Sequence, residues 1–99
     1  MTVEFARFTA RPGEDEKLIA ERPAMLAALR ARFPGCLAAY LTREPDGTFV
    51  DVLVWRTPED AAASAEEIMS IPECAAWLAH IAESDGIRHA ELVDAWPAL

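Results

Sequence analysis

The strongest constraint on the fold is a seven-residue segment, Phe49 to Trp55, that is apolar at nearly every position. A β-strand points successive side chains to opposite faces of its sheet, so a strand of this composition has to be covered on both faces. The segment therefore predicts a central strand, in a sheet whose two faces are both shielded from water.

The segments on either side are patterned as strands and helices, in the order strand, helix, strand, strand, helix, strand. The predicted elements are a strand from Thr2 to Ala10, a helix from Glu14 to Phe33, strands from Cys36 to Arg43 and Thr48 to Trp55, a helix in two pieces from Thr57 to Met69 and from Ser70 to about Ile81, and a strand from Ile87 to Trp96. This order is that of the ferredoxin-like α+β fold, a four-stranded antiparallel sheet with both helices on one face. No linker interrupts it, so we predict one domain over residues 1–99.

Several local signals make this prediction more specific. Pro23 lies inside the first helix and predicts a kink or a short break there. The turn from Glu44 to Gly47 predicts a β-hairpin, with Gly47 in the left-handed conformation. Thr57 followed by Pro58 predicts a helix start, and Ser70 with Glu73 has the spacing of a capping box.

The hairpin also determines which side chains share a face. With a bulge at Gly47, one face holds Leu37, Ala39 and Leu41 together with Asp51, Leu53 and Trp55, and the other holds Ala38, Tyr40, Thr42, Val50, Val52 and Val54. Two helices can cover only one face, and Tyr40 and Trp77 are predicted to pack on the helix side. We predict that the uncovered face is closed by a second copy of the chain, in a homodimer, and that it carries Leu37, Leu41, Leu53, Trp55 and Phe8.

Charge and cysteine content exclude several classes of partner. The chain has 17 acidic and 9 basic residues, a formal net charge of −8. This charge repels phosphate backbones and anionic lipids, so neither a nucleic acid nor a membrane partner is expected. The first residues do not resemble a signal peptide, which predicts the cytoplasm, and Cys36 and Cys74 have neither disulfide nor metal-site spacing and are predicted to be buried thiols.

Four segments together resemble a known family. They are Arg11-Pro12-Gly13-Glu14, Phe33-Pro34-Gly35-Cys36-Leu37, Val54-Trp55-Arg56 and Thr57-Pro58-Glu59-Asp60-Ala61. The chain is similar over nearly its whole length to the antibiotic biosynthesis monooxygenase superfamily of dimeric α/β barrels. This resemblance implies the ferredoxin-like fold and a homodimer. It also implies several activities, among them cofactor-free oxygenation of phenols, small-molecule isomerisation and haem degradation.

The haem-degrading branch of this superfamily has an Asn-Trp-His pocket, from which the chain departs. Trp55 matches the recurrent tryptophan, but Ala6 stands where the Asn would be and Ala65 lies near the place of the His. Haem degradation therefore ranks below two other hypotheses. The first is a cofactor-independent monooxygenase acting on a small aromatic or enolisable molecule, and the second is a non-catalytic dimer that binds a small molecule.

A pocket at the helix-free face would carry the chemistry in either case. Carboxylates and an imidazole within apolar walls suit deprotonation of a phenol or an acidic C–H. The resemblance to the cofactor-free oxygenases implies that the resulting anion reacts with oxygen. His89 is the first choice as base because imidazole titrates near neutral pH. The candidate catalytic residues are His89, Asp51 and Glu4, and the candidate substrate-binding residues are Trp55, Phe8, Leu53 and Glu91, with no metal and no cofactor.

Each of these residues also has a purely structural interpretation. His89 and Glu91 are compatible with a solvated sheet edge. Glu4 and Asp51 are compatible with ion pairs across a dimer, to Arg43 or Arg88, and Trp55 with an interface aromatic residue. His80 lies outside the apolar stripe of its helix and is predicted to face solvent.

Overall fold

The computed structural model describes residues 1–99 as a four-stranded antiparallel sheet with all helices on one side. Its elements are β1 (Thr2–Ala10), α1 (Asp15–Arg32), β2 (Cys36–Arg43), β3 (Phe49–Trp55), α2 (Pro58–Glu67), α3 (Pro72–Leu78) and β4 (Ile81–Glu91), with a 3-10 turn at Ile68–Ser70. The strand order is β2-β3-β1-β4, which confirms the ferredoxin-like fold. None of the helices combines the length and the apolar character that crossing a bilayer requires.

The helix α1 packs on the sheet through one buried stripe, Leu18, Arg22, Met25 and Leu29. Their spacing of four, three and four residues places them on one face of an α-helix. The helix continues through Pro23, so the predicted break does not occur. Because Pro23 is exposed, water can solvate the carbonyl that loses its amide partner.

The hairpin between β2 and β3 has the predicted register near its turn. Gly47 has a φ of 92°, and Leu41 and Ala39 pair with Asp51 and Leu53. Farther from the turn the register shifts between Cys36 and Ala38, so that Cys36 pairs with Trp55. The bulge therefore takes Leu37 out of the predicted face.

The two pieces of the second helix begin in different ways. Thr57 caps α2 as predicted, because its hydroxyl oxygen accepts a hydrogen bond of 3.1 Å from the amide of Asp60. The predicted capping box of α3 is absent, since Ile71 is its N-cap residue. The hydroxyl of Ser70 instead donates a 2.6 Å hydrogen bond to the carbonyl of Glu67, closing the 3-10 turn.

The edge strand β4 begins and ends earlier than predicted. It starts at Ile81 and ends at Glu91, against the predicted range of Ile87 to Trp96. The reason is that α3 ends at Leu78, while Gly86, with a φ of 86°, lies at a bulge opposite Arg7 and not in a turn before the strand.

The face of the sheet that the helices cover differs from the prediction. Phe8, Leu53 and Trp55 belong to the buried core beneath the helices, and Leu41 packs against it. The large side chains of α1 and α3 pack against the face that carries Phe8, Phe49 and Trp55. Large side chains on both layers fill the space between the helices and the sheet. The uncovered face carries the opposite set, namely Val3, Phe5, Arg7, Tyr40, Val50, Val52, Val54 and Arg88.

Tyr40 and Trp77 were both predicted to pack on the helix side of the sheet, but only Trp77 does so. Trp77 is buried in the core, and its indole N–H donates a 2.8 Å hydrogen bond to the carbonyl of Leu18. Tyr40 lies on the uncovered face and is 57% exposed. Four of the eight side chains of the uncovered face are valines, of which Val3 and Val54 are already buried in one chain.

Candidate functional site

A cavity of about 240 Å³ lies between the sheet and the helices. Its walls are mostly apolar, and its polar side chains are those of Glu4, Asp51, Ser64 and Ser84. Glu4 comes from β1 and Asp51 from the neighbouring β3, whose covered faces are continuous. Two carboxyl groups therefore share one wall of a largely apolar space, which is the setting in which protein carboxyl groups change their pKa most.

Asp51 is bound by a single cation from the helix layer. The guanidinium of Arg22 donates two hydrogen bonds to it, from Nη1 to Oδ2 at 2.8 Å and from Nη2 to Oδ1 at 2.6 Å. Both side chains are buried, and the Arg22 guanidinium also lies 5.5 Å from the centre of the Trp77 ring. Burial raises the pKa of Asp51, and the hydrogen bonds and the charge of Arg22 oppose that rise because they stabilise the ionised carboxylate.

Glu4 has weaker partners than Asp51. The indole N–H of Trp55 donates a 3.2 Å hydrogen bond to Oε1 of Glu4, and Nε2 of His89 lies 3.6 Å from the same oxygen. Burial raises the pKa of Glu4 above its ordinary value, while His89 and the bond from Trp55 oppose the rise. Glu4 is thus a largely buried carboxyl group without a permanent cation as partner, and it is suited to gaining and losing a proton.

The predicted site residues divide into two groups. Glu4, Asp51, Phe8 and Leu53 line the cavity, although the cavity lies beneath the helices and not at the uncovered face. His89 and Glu91 lie outside it, in a separate open depression at the end of the sheet with Met1, Thr2, Pro58, Ala62 and Ala90.

Trp55 does not lie where the sequence analysis placed it. It is 1% exposed and packed in the core, so its ring offers no free surface on which a planar substrate could stack. Its contact with the cavity is indirect, through the hydrogen bond to Glu4. The predicted partners of Asp51, Arg43 and Arg88, lie instead over the rings of Phe49 and Phe5.

The sequence analysis did not include Arg22 and Trp77 among the site residues. Arg22 binds Asp51, and Trp77, beneath the Arg22 guanidinium, forms part of the cavity wall. The signal for Arg22 was present in the sequence. It stands between Leu18 and Met25 in the buried stripe of α1, and an arginine at a core position needs a buried anion. Asp51, within an apolar strand, was the matching anion.

Ala6 and Ala65, which depart from the Asn-Trp-His pattern, both line the cavity. Their methyl groups leave that part of the wall without a polar group. The cavity lining also contains no His, Cys or Tyr side chain, the residue types that most often ligate haem iron.

The thiols and the second histidine lie outside the candidate site. Cys36 and Cys74 are free and buried, as predicted, and burial raises the pKa of both thiols. No group of three or more His, Cys, Asp or Glu side chains is arranged to hold a metal ion. His80 was expected to face solvent, but its side chain is 13% exposed and is held between Glu14, at 2.8 Å, and Glu21, at 3.0 Å.

The comparisons with known proteins agree with this fold. The family model for antibiotic biosynthesis monooxygenases matches residues 1–78. A candidate antibiotic biosynthesis monooxygenase from Chloroflexus aurantiacus is 25% identical, with a TM-score of 0.67 over 95% of this chain and 94% of that one. SnoaB from Streptomyces nogalater, a cofactor-independent oxygenase, is 21% identical, with a TM-score of 0.73 over 98% and 97% of the two chains.

A third structure, a candidate antibiotic biosynthesis monooxygenase from Bordetella bronchiseptica, has a TM-score of 0.77 at 20% identity over 93% of this chain and 96% of that one. At identities of 20 and 21%, these similarities show that the fold is shared and do not extend to function. Among curated proteins, none matches this chain.

Proposed function

The chain belongs to the antibiotic biosynthesis monooxygenase family, and we propose that it is a cofactor-independent monooxygenase that oxidises a small phenolic or enolisable molecule in the cavity beneath its helices. The observation that carries the proposal is Glu4, a largely buried carboxyl group whose pKa is raised by burial, in the wall of a mostly apolar cavity. The likeness to SnoaB, itself a cofactor-independent oxygenase, supports the reaction class.

In this proposal Glu4 is the base. A carboxylate of raised pKa removes the proton of a bound phenol more effectively than an ordinary one, because the apolar cavity penalises its charge. Asp51 is not the base in this proposal, since the charge of the buried Arg22 guanidinium beside it stabilises the carboxylate and makes it a weaker proton acceptor. Phe8 and Leu53 contact the ring of the substrate, and Trp55 positions Glu4.

The reaction balances without an added reductant. Loss of the hydroxyl proton makes the ring carbon opposite the oxygen electron-rich, and that carbon forms a C–O bond to O2. Loss of the proton on the same carbon and cleavage of the O–O bond then give a quinone and one water. A phenol such as 1-naphthol thereby supplies all four electrons that reduce O2.

His89 has a different role from the one first assigned to it. It lies outside the cavity and is partly exposed, 3.6 Å from Glu4. We assign it the transfer of the proton from Glu4 to solvent. Glu91 lies in the same open depression but does not touch the cavity, and it has no role in this proposal.

The proposed enzyme is a homodimer that forms through the uncovered face of the sheet. Val50 and Val52 at the centre of that face are apolar and only half-buried in one chain, and a second copy would remove them from water. Light scattering at micromolar concentration is expected to give a dimer. Val52→Glu should give a monomer, whereas Val93→Glu, in the exposed tail, should leave the dimer intact; a wild-type monomer contradicts this assembly.

The cytoplasmic location of the protein stays a prediction from the sequence.

Oxygen uptake with 1-naphthol tests the reaction. The wild type is expected to consume one O2 for each quinone formed, with one atom of labelled oxygen in the quinone. Glu4→Gln keeps the shape of the side chain and should lower the rate by about 100-fold or more, the contribution of a general base.

Glu91→Gln is the matched control, because it makes the same change outside the cavity. It should leave the rate unchanged. Equal rates for Glu4→Gln and the wild type would remove Glu4 as the base, and the absence of uptake with a panel of phenols would reject the monooxygenase.

A non-catalytic binding protein is the second candidate. It is favoured by the fact that donors of the chain itself engage both carboxyl groups of the cavity, Arg22 for Asp51 and Trp55 for Glu4. It predicts a co-purified small molecule, visible by mass spectrometry, that persists unchanged in air. Haem handling has no such support, and titration with haem is expected to give no Soret shift.

A further inference from the structure

We propose that the cavity selects an uncharged phenol of one or two fused rings, and that it rejects three-ring phenols and carboxylates of any size. This inference names the substrate class of the proposed oxygenase and rests on that proposal for its site. It depends on the volume of the cavity, the rigidity of its walls and the charges that line it.

The volume limits the number of rings. An apolar cavity of about 150 Å³ accommodates one benzene molecule. The cavity here measures about 240 Å³, which is enough for one substituted ring or two fused rings. A third fused ring would need the wall to move.

The walls are held by contacts that resist such movement. The Phe8 ring stacks on Phe49 at 5.6 Å and meets the edge of Trp77 at 5.7 Å. The indole of Trp77 is fixed in turn by its hydrogen bond to the carbonyl of Leu18. Displacing one of these rings disturbs the others, because protein interiors are close-packed.

The charges of the lining exclude anions. Glu4 and Asp51 are its only ionisable side chains. The one permanent cation near them, Arg22, is buried and committed to Asp51 through both of its terminal nitrogens. A bound carboxylate would therefore face Glu4 without a compensating cation, in a space where water does not screen the repulsion.

The same carboxyl group favours a hydroxyl. A carboxylate accepts several hydrogen bonds, and Trp55 supplies one of them to Glu4. A phenol can donate a further bond while its ring lies against Phe8 and Leu53. An organic cation would also be drawn to Glu4, but it must lose its hydration in an apolar space to reach it.

Binding without oxygen separates this inference from turnover. Calorimetry under nitrogen would compare four probes, 1-naphthol, 9-phenanthrol with a third ring, 1-naphthoate with an anion, and 1-naphthylmethylamine with a cation. We expect 1-naphthol to bind at least about tenfold more tightly than each of the others. Equal or tighter binding of any other probe overturns the proposal for that property, size or charge.

Two variants and one control locate the selection in the cavity. Leu78→Ala opens the wall and should improve binding of 9-phenanthrol by about tenfold, and Glu4→Gln should do the same for 1-naphthoate. Leu26→Ala shortens a half-buried leucine that does not line the cavity, and it should leave the ranking unchanged. A ranking altered equally by all three variants would place the selection elsewhere.

The oxygenase and the selectivity can fail separately. If 1-naphthol binds with the expected preference but consumes no oxygen, the proposed reaction fails and the selectivity stands. If 9-phenanthrol is oxidised as fast as 1-naphthol, the selectivity fails and the reaction stands.

Discussion

Two carboxyl groups in one wall of the cavity have opposite relations to their surroundings. Asp51 accepts two hydrogen bonds from a buried guanidinium, and Glu4 accepts one from a neutral indole. The basic side chain nearest to Glu4 is His89, at 3.6 Å and partly exposed to solvent. The Asp51 carboxyl group is therefore matched by a permanent positive charge, whereas Glu4 has no such partner.

This difference indicates which end is structural and which is chemical. A buried ion pair loses stability if either partner is removed, because the charge of the other partner is then left unpaired. A buried carboxyl group with a single neutral donor retains free acceptor sites and a raised pKa. The predictions that follow test this contrast from the largest expected effect to the smallest.

The Arg22 to Asp51 pair provides the largest effect. Arg22→Met keeps an unbranched side chain in the stripe of α1 but leaves Asp51 buried without its cation. We expect the free energy of unfolding in urea to fall by about 3 to 5 kcal/mol, the usual result of breaking a buried pair on one side.

The double variant Arg22→Met with Asp51→Leu removes both charges and is the matched control. It should recover most of the lost stability, because no unpaired charge remains. A double variant as unstable as the single one would show that packing, and not the charge of Asp51, is what Arg22 supports.

Trp55→Phe tests the Glu4 end. It removes the indole N–H from Glu4 and shrinks a buried ring, and it should cost about 1 to 3 kcal/mol. Since the hydrogen bond from Trp55 lowers the pKa of Glu4, its loss should raise that pKa further. Carbon NMR titration of the Glu4 carboxyl group measures the change.

Trp77→Phe is the control, because this indole donates to a backbone carbonyl of α1. It should cost similar stability without moving the Glu4 pKa. A Glu4 pKa that stays in place in Trp55→Phe would mean that the indole does not stabilise the carboxylate.

The fold could be predicted from the sequence because its signals are local. Alternation, helical spacing, the Thr57-Pro58 start and the turn at Gly47 each act within a few residues, and the structure contains the elements they predict. The errors concern features that depend on contacts with neighbouring elements and not on the local sequence. The length of β4 depends on where α3 ends and on a bulge opposite Arg7, neither of which is encoded in the pattern of the strand itself.

The candidate site was predicted as a set of residues but placed on the wrong side of the sheet. Alternation correctly joined Glu4, Phe8, Asp51 and Leu53, since it depends on the geometry of a strand alone. It cannot tell which face the helices cover, because both faces of β3 are apolar. The size of the side chains carried that information, and so did the arginine in the stripe of α1.

The pH dependence of stability sharpens the contrast with a smaller effect. Burial raises the pKa of Glu4 in the folded protein, so the unfolded chain releases this proton first as pH rises above 4.5. Stability due to Glu4 is therefore highest at low pH and falls as pH rises toward the folded pKa. The advantage of Glu4→Gln over the wild type in urea unfolding should grow across that range and then level off; a constant difference would mean that the pKa of Glu4 is the same in the folded and unfolded states.

The smallest expected effect is at His80, whose two ring nitrogens contact the carboxyl groups of Glu14 and Glu21. Hydrogen bonds to Glu14 and Glu21 raise the pKa of His80, so its contribution is complete below pH 6.5 and is lost as pH rises through the folded pKa. The pKa of Glu14 is lowered by the same contact, which is lost again when Glu14 is protonated in acid. His80→Gln should thus lower the melting temperature slightly at pH 6 and leave it unchanged near pH 9. Arg22→Met should be equally destabilising at both, because a guanidinium keeps its charge throughout that range. If the two variants showed the same pH profile, the distinction between a fixed and a titrating cation would not hold in this protein.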